Sequence, residues 1–180
     1  MNPEQRHALA TRLATLPASW VAGFPLGLDA TGVHGRYFKC ELRSRYERHG
    51  VGSASLPLAR LHARRGDGIE VPPEQLFRLA SGADGLLKLD RLCRLIHTLN
   101  HCVVAAQTEP LLLPVHSRLF DYVQAAHGRT FARMLAHFDI APDRVVLLVP
   151  EGLPQGVLDS YLGEGFGVRG ETLAPAPMDG

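Results

Sequence analysis

The stretch LLLPVHSRLFDYVQAAHGRTFARMLAHFDIAPDRVVLLVPE, Leu111 to Glu151, decides the fold. LLLPV (111–115) and RVVLLV (144–149) are near-continuous apolar runs without alternation, the pattern of strands buried on both faces of a parallel sheet. Between them Phe131, Leu135 and Phe138 recur at helical spacing, with Arg129 and Arg133 on the opposite side. Strand, helix, strand in this order predicts a right-handed crossover and an α/β layer architecture. Folds of this kind place their chemistry at the carboxyl ends of the strands. Those places hold Pro114, His116, Leu148 and Glu151. This is a poor set for catalysis, since two of the four carry no reactive side chain.

Working outward, Asn2, Pro3 and Gln5 fit an N-cap, a first-turn proline and a capping-box partner, and Leu9, Leu13 and Leu16 give the helix that follows one apolar face. Residues 21–29 predict a strand, 30–32 a turn, and 36–43 a second strand that would close a hairpin. In that second strand Tyr37, Lys39, Glu41 and Arg43 fall on one face and Phe38, Cys40 and Leu42 on the other. From Ser44 to Glu70 no period is legible apart from a helical turn around Leu58–Arg64, so a binding loop or solvated connection is expected. Its basic residues Arg60, Arg64 and Arg65 are candidates for phosphate or acidic contacts, but no aromatic residue is interleaved with them to stack bases. Pro72 and Pro73 open a helix with Leu76, Phe77 and Ala80, and a second helix carries Leu89, Leu92, Cys93, Ile96 and Leu99. Both are expected as outer-layer helices. After Glu151, Pro154 starts a helix with Val157, Leu158 and Tyr161, and residues 165–168 predict a last short strand. Residues 174–180 have the composition of a disordered tail.

A 180-residue chain with 46% apolar and 21% charged residues suits one globular domain. Net charge is +1, which speaks against a protein built for nucleic acid. The charge is uneven, with eight Lys or Arg and two acids from Arg36 to Arg65, against six acids and two Arg from Asp143 to Gly180. No apolar run approaches the roughly 20 residues of a membrane span, and no signal-peptide core is present, so a cytoplasmic location is expected. Cys40, Cys93 and Cys102 form no CxxC and are expected as reduced thiols, Cys93 in the core. His97 and His101 have metal spacing on a helix but no accompanying acidic ligand, and are expected as a surface pair. Gly165, Gly167 and Gly170 satisfy G-x-G-x-x-G without the strand before and helix after that a dinucleotide site needs. Ser117 lacks the Gly-x-Ser-x-Gly context of a strained nucleophile.

Taken together in order, FPLGLDATG, a second strand ending in Arg43, PPEQLF, LDRLCR, LLLPVHSRL, HGRTF, APDRVVLLVPE and GFGVRGE resemble the EAL domains, which hydrolyse cyclic di-GMP on a TIM barrel. The resemblance runs from about Phe24 to Glu171 and implies an incomplete, half TIM-barrel-like parallel sheet with outer helices, preceded by an N-terminal helix. The implied organisation is an N-terminal helix (1–17), a degenerate EAL-like α/β domain (18–173) and the tail (174–180). A full barrel takes about 250 residues and eight strands, whereas about five strands are legible here. An open sheet edge is the expected consequence.

The family's site residues carry over poorly. The name-giving glutamate falls on Lys39, or in a shifted alignment on Glu41 with Arg45. The third-strand asparagine falls on Pro114 and the metal glutamate of the fourth strand on Leu148. Glu151 matches the second glutamate of that motif, and Glu171 with Thr172 stands where the family has paired aspartates. Two divalent ions need several convergent oxygen ligands, which proline and leucine cannot supply and a lysine repels. No cofactor and no metal are therefore expected. The resemblance implies a catalytically inactive EAL-like domain of bacterial cyclic di-GMP signalling that works through protein contacts, as a homo-oligomer or with a signalling partner covering the open edge. A second expectation is a non-hydrolysing cyclic di-GMP receptor that grips the anion with Lys39, Arg43 and Arg45 beside Glu41. A third is residual phosphodiesterase activity using Glu41, Glu151 and Glu171.

Overall fold

The computed structural model describes residues 1–21, 24–80, 82–121 and 127–170. Eight strands form one sheet: β1 (Leu26–Asp29), β2 (Gly32–Tyr37), β3 (Cys40–His49), β4 (Leu56–Arg65), β5 (Glu70–Val71), β6 (Leu111–Pro114), β7 (Val145–Val149) and β8 (Gly167–Gly170). The helices are α1 (Pro3–Ala14), α2 (Ala18–Val21), α3 (Pro73–Leu79), α4 (Gly82–Leu99), α5 (His127–His137) and α6 (Gln155–Gly163). The strand order is β1-β2-β3-β4-β6-β7-β8, with β5 on the far end of β4. β1 to β4 are antiparallel, and β4, β6, β7 and β8 run parallel. The architecture is thus α/β with a TIM-barrel-like parallel half, and the barrel is not closed among the described residues.

The opening stretch folds as its pattern predicts. Leu111 pairs with Val145 and Pro114 with Leu148 in parallel register. Phe131, Leu135 and Phe138 are buried in the core, while Arg129 and Arg133 stay at the surface. The N-terminal capping box also forms: Gln5 N–H donates to Asn2 Oδ1 and Asn2 N–H to Gln5 Oε1, each at 2.9 Å.

Three expectations are corrected. The stretch 21–29 is not a continuous strand, because α2 ends at Val21 and β1 begins only at Leu26. The stretch 36–43 is broken by a tight turn at Phe38–Lys39 that pairs Tyr37 with Cys40. Cross-strand partners share a face, so Tyr37 is buried beside Cys40 and Leu42 rather than standing with Glu41 and Arg43. The expected loop from Ser44 to Glu70 is instead the longest hairpin of the molecule, with ten cross-strand pairs from Cys40↔Arg65 to His49↔Leu56. Its pattern is illegible in sequence because one face of β3 is charged along its length and the other carries Ser44, Tyr46 and Arg48 in place of an apolar row.

The two helices after Pro72 form as expected, but α4 is more than an outer layer. From Leu92 to Leu99 every residue is buried. The helix packs on the sheet with one side and is covered by α2 and α5 on others. A helix buried all round must neutralise its polar groups internally. Asp90 and Arg94 do this as an i,i+4 ion pair at 2.7 Å, both under 5% exposed, with the guanidinium over the rings of Phe131 and Tyr161 at 5.6 and 6.0 Å. Burial pushes the Asp90 carboxyl up, and the cation beside it works against that shift. Beyond α4 the chain continues as a π-helical turn, Asn100–Val104. The Asn100 side chain accepts from Val33 N–H at 2.8 Å and donates to Val33 C=O at 2.7 Å, so it stands in for a strand where β2 and β3 diverge.

His97 and His101 are also corrected: both are buried, not a surface pair. The Ser44 hydroxyl lies 2.7 Å from His97 Nδ1, and His101 Nε2 lies 2.9 Å from the Glu109 carbonyl oxygen. Burial lowers the His97 pKa to about 4, so the ring is neutral near pH 7. All three cysteines are free thiols, with Cys40 and Cys93 buried.

Candidate functional site

The inward face of the sheet, which a closed barrel would enclose, follows from strand alternation and register. On β3 it carries Glu41, Arg43, Arg45 and Glu47, and on β4 Leu56, Leu58, Arg60, His62 and Arg64. On β6 it carries Leu112 and Pro114, on β7 Val146 and Leu148, and on β8 Gly167 and Arg169. The face is therefore charged over the antiparallel half and apolar over the parallel half.

In the charged half Arg43, Arg45 and Arg60 are already engaged, whereas Arg64 has no ion-pair partner among the described residues. Arg43 Nε donates to Glu41 Oε1 at 2.6 Å, and its terminal nitrogens bind the Asp29 carboxylate and the Thr31 hydroxyl. The Arg43 hydrogen bond holds the Asp29 carboxyl well below the usual carboxylate range, and the same residue lowers Glu41. Arg45 Nη2 donates to Glu70 Oε1 at 2.9 Å, and His62 Nε2 lies 2.7 Å from the same carboxylate oxygen. Arg60 Nε donates to Glu47 Oε1 at 2.7 Å. Lys39 stands apart in the exposed β2–β3 turn. Of the four residues expected to hold an anion, the fold brings Glu41, Arg43 and Arg45 onto one face and leaves Lys39 at its end.

The apolar half is sealed. Leu58, Leu112 and Leu148 form a separate cluster, exposed by 1%, 0% and 3%, with Leu56 and Val146 packed against it. The Arg169 guanidinium reaches across toward the Ala54 carbonyl, at 3.4 Å, which brings β8 close to the loop between β3 and β4. Gly167 permits part of this curl, because a Cβ there would lie 2.9 Å from Val146 Cγ2. Leu58, Leu112 and Leu148 are thus buried within the chain itself, while Pro114 at the strand end stays exposed.

At the strand ends, Pro114 is exposed and Leu148 is buried. His116 stacks on Phe77 with ring centroids 4.3 Å apart and accepts at Nδ1 from Arg118 N–H. Burial lowers its pKa. Glu151 sits exposed in the turn after β7, and Glu171 lies outside the described residues. Behind the strand ends a cavity of about 300 Å³ lies between α4 and β4–β6, lined by Asp90, Cys93, Arg94, His97 and His116 among others. Asp90 and Arg94 fall within the LDRLCR motif of the resemblance, but no role was expected of either.

Among the described residues the oxygen set that two divalent ions would require does not converge. Pro114 and Leu148 offer no side-chain oxygen, Glu41 is committed to Arg43, and Glu151 lies on a separate exposed turn. The residues present do not fit such a site. Among the described residues no group of three or more His, Cys, Asp or Glu is placed to hold a metal ion. The glycine motif also fails its context, since helix α6 precedes it and Gly167 and Gly170 lie within strand β8. No described helix is long and apolar enough to cross a membrane.

No family model matches the sequence. Comparison with curated proteins gives no match either. Among solved structures, the chain is similar to the FimX EAL domain of Xanthomonas citri in complex with c-di-GMP, at 18% identity and a TM-score of 0.52, over 93% of this chain and 62% of that one. It is also similar to the FimX EAL domain of Pseudomonas aeruginosa bound to c-di-GMP, at 21% identity and a TM-score of 0.47, over 68% of this chain and 48% of that one. The chain thus spans less than two thirds of either structure. With its helices laid on a parallel-rich sheet and its barrel left open, the chain has the fold of an EAL domain over the part that it spans.

Proposed function

We propose that the chain is a non-catalytic EAL-fold module of cyclic di-GMP signalling that works through protein contacts. The observation that carries the non-catalytic part of the reading is the leucine cluster on the inward face. The sheet neighbour of β6 is β4, not β3, which supports reading the second-strand position, put by the resemblance on Lys39 or Glu41, onto β4. The inward face of β4 carries no carboxylate at all. With Pro114 and Leu148 on β6 and β7, three adjacent strands present apolar or cationic groups where hydrolysis needs oxygen ligands. Among the described residues β8 pairs only with β7, which leaves a sheet edge for a partner strand.

The purified chain is expected to give no turnover of cyclic di-GMP with magnesium or manganese. Hydrolysis that disappears in Glu151→Ala or Glu41→Gln would overturn the non-catalytic reading. Light scattering tests self-association, and a stable monomer at high micromolar concentration removes that form of the partner hypothesis. The receptor reading through Arg43 and Arg45 ranks second because both guanidiniums are held by carboxylates that a phosphate would have to displace. Calorimetry with cyclic di-GMP decides between them.

A further inference from the structure

In sequence the basic run Arg60–Arg65 lacks an aromatic partner. The fold supplies one. Cys40 pairs with Arg65 and Glu41 with Arg64, so the β2–β3 turn that carries Phe38 and Lys39 lies beside the end of β4. Between them is a groove of about 420 Å³, lined by Arg36, Phe38, Lys39, Glu41, Arg64 and Arg65 among others.

Arg36 and Arg64 are the cross-strand neighbours of Glu41 on either side. Strands are spaced about 5 Å apart, so the two cations flank a strip about 10 Å wide. Glu41 and Asp29 share the single cation Arg43, so one negative charge is left over against the three cations Arg36, Lys39 and Arg64. Arg65 is tied to Asp67. The side chains of Arg36, Lys39 and Arg64 make no hydrogen bond or ion pair among the described residues, in contrast to those of Arg43, Arg45 and Arg60 on the same sheet.

Phe38 is the second, independent feature. Its φ of +51° is left-handed, a conformation that glycine or asparagine adopts far more readily than phenylalanine. Its ring is 70% exposed and meets Tyr37 edge-to-face at 4.6 Å. Folding thus accepts both a strained backbone and an exposed ring at the mouth of a cationic groove. Strain of this kind collects at ligand contacts.

We propose that this hairpin end binds a nucleotide, with the base stacked on Phe38 and the phosphate held by Arg36, Lys39 and Arg64. A ring beside unpaired cations is the arrangement that recognises a base and its phosphate together. The site lies at the hairpin tips, apart from the leucine cluster, and does not depend on the reading of that cluster.

The test is titration of the full chain with AMP, followed by amide chemical shifts, with ribose 5-phosphate and a hexaglutamate peptide as comparisons. Saturable AMP binding centred on residues 36–41 and 64–66, weakened by added salt, is expected. Phe38→Asn should weaken it about tenfold while raising the melting temperature, because asparagine tolerates the left-handed turn but offers no ring. Arg36→Gln with Arg64→Gln should weaken binding and flatten its salt dependence. No saturable binding at millimolar AMP, or an affinity unchanged by Phe38→Asn, overturns the proposal. So does ribose 5-phosphate binding as tightly as AMP, which would remove the stacking role. Hexaglutamate displacing AMP at lower concentration would assign the groove to an acidic protein segment instead. Cyclic di-GMP hydrolysis enters none of these readouts, so this proposal and the one above fail separately.

Discussion

The antiparallel and parallel halves of the sheet present the same inward face to opposite effect. Over β1–β5 that face carries Arg43 with Asp29 and Glu41, Arg60 with Glu47, and Arg45 with Glu70 as ion pairs, and it remains partly exposed. Over β6–β8 it carries Leu112, Val146 and Leu148, and the sheet curls until the two leucines are buried and Val146 is partly covered. The difference shows that an open barrel has two ways to manage an unclosed interior. Charged side chains can satisfy one another and tolerate water, whereas apolar ones are stabilised only by being covered.

If that contrast holds, substitutions in the two halves should differ in size. Leu112→Ala, at the centre of the cluster, is expected to cost about 3 kcal/mol, the range for a fully buried leucine whose cavity cannot collapse. Urea unfolding measures it, and a loss below about 1 kcal/mol would mean that the inward face is open in solution.

Acid should probe the packing of α4 on the antiparallel half, where His97 of α4 meets Ser44 of β3. The folded pKa of His97, about 4, lies below its ordinary value of 6.5. The unfolded chain then binds the proton first, so the contribution is fully present above about pH 6.5 and is lost as pH falls toward 4. The full window is worth about 3 kcal/mol at 1.36 kcal/mol per unit. A stability profile flat between pH 6.5 and 4.5 in the native protein, or one that keeps its slope in His97→Gln, would remove this assignment. Asp29, Glu41 and Glu70 have lowered pKa values, so their contributions fade only when pH falls through the lower carboxylate range.

The smallest effect is expected in the charged half. Arg45→Ala should cost less than about 1 kcal/mol, because its partner Glu70 is exposed and the pair is screened by solvent. A loss as large as that of Leu112→Ala would show the ion-pair face to be buried against a partner.

Legibility in the sequence followed the strength of local patterning. The parallel unit Leu111–Glu151 was readable because both strands are apolar throughout and the helix between them keeps its period. The N-terminal capping box was readable from three residues. The long hairpin was not, since alternating charges on β3 look the same in a strand and in a solvated loop until β4 is laid beside them. The turn at Phe38–Lys39 carries no glycine or asparagine to announce it, and missing it put Tyr37 on the wrong face. The candidate site was legible in part: Glu41, Arg43 and Arg45 do share a face, but their mutual neutralisation with Asp29 and Glu70 depends on residues up to 25 positions away.

The sequence by itself determined the α/β class, the parallel unit and the absence of oxygen ligands at Pro114 and Leu148, because these rest on residue chemistry and local period. Only the tertiary structure decided that β4 is the neighbour of β6, that the leucines of three strands close on one another, and that Phe38 stands beside Arg64. Each of these is a pairing between distant segments. Strand register is set by the whole buried surface, so it cannot be read from any one strand.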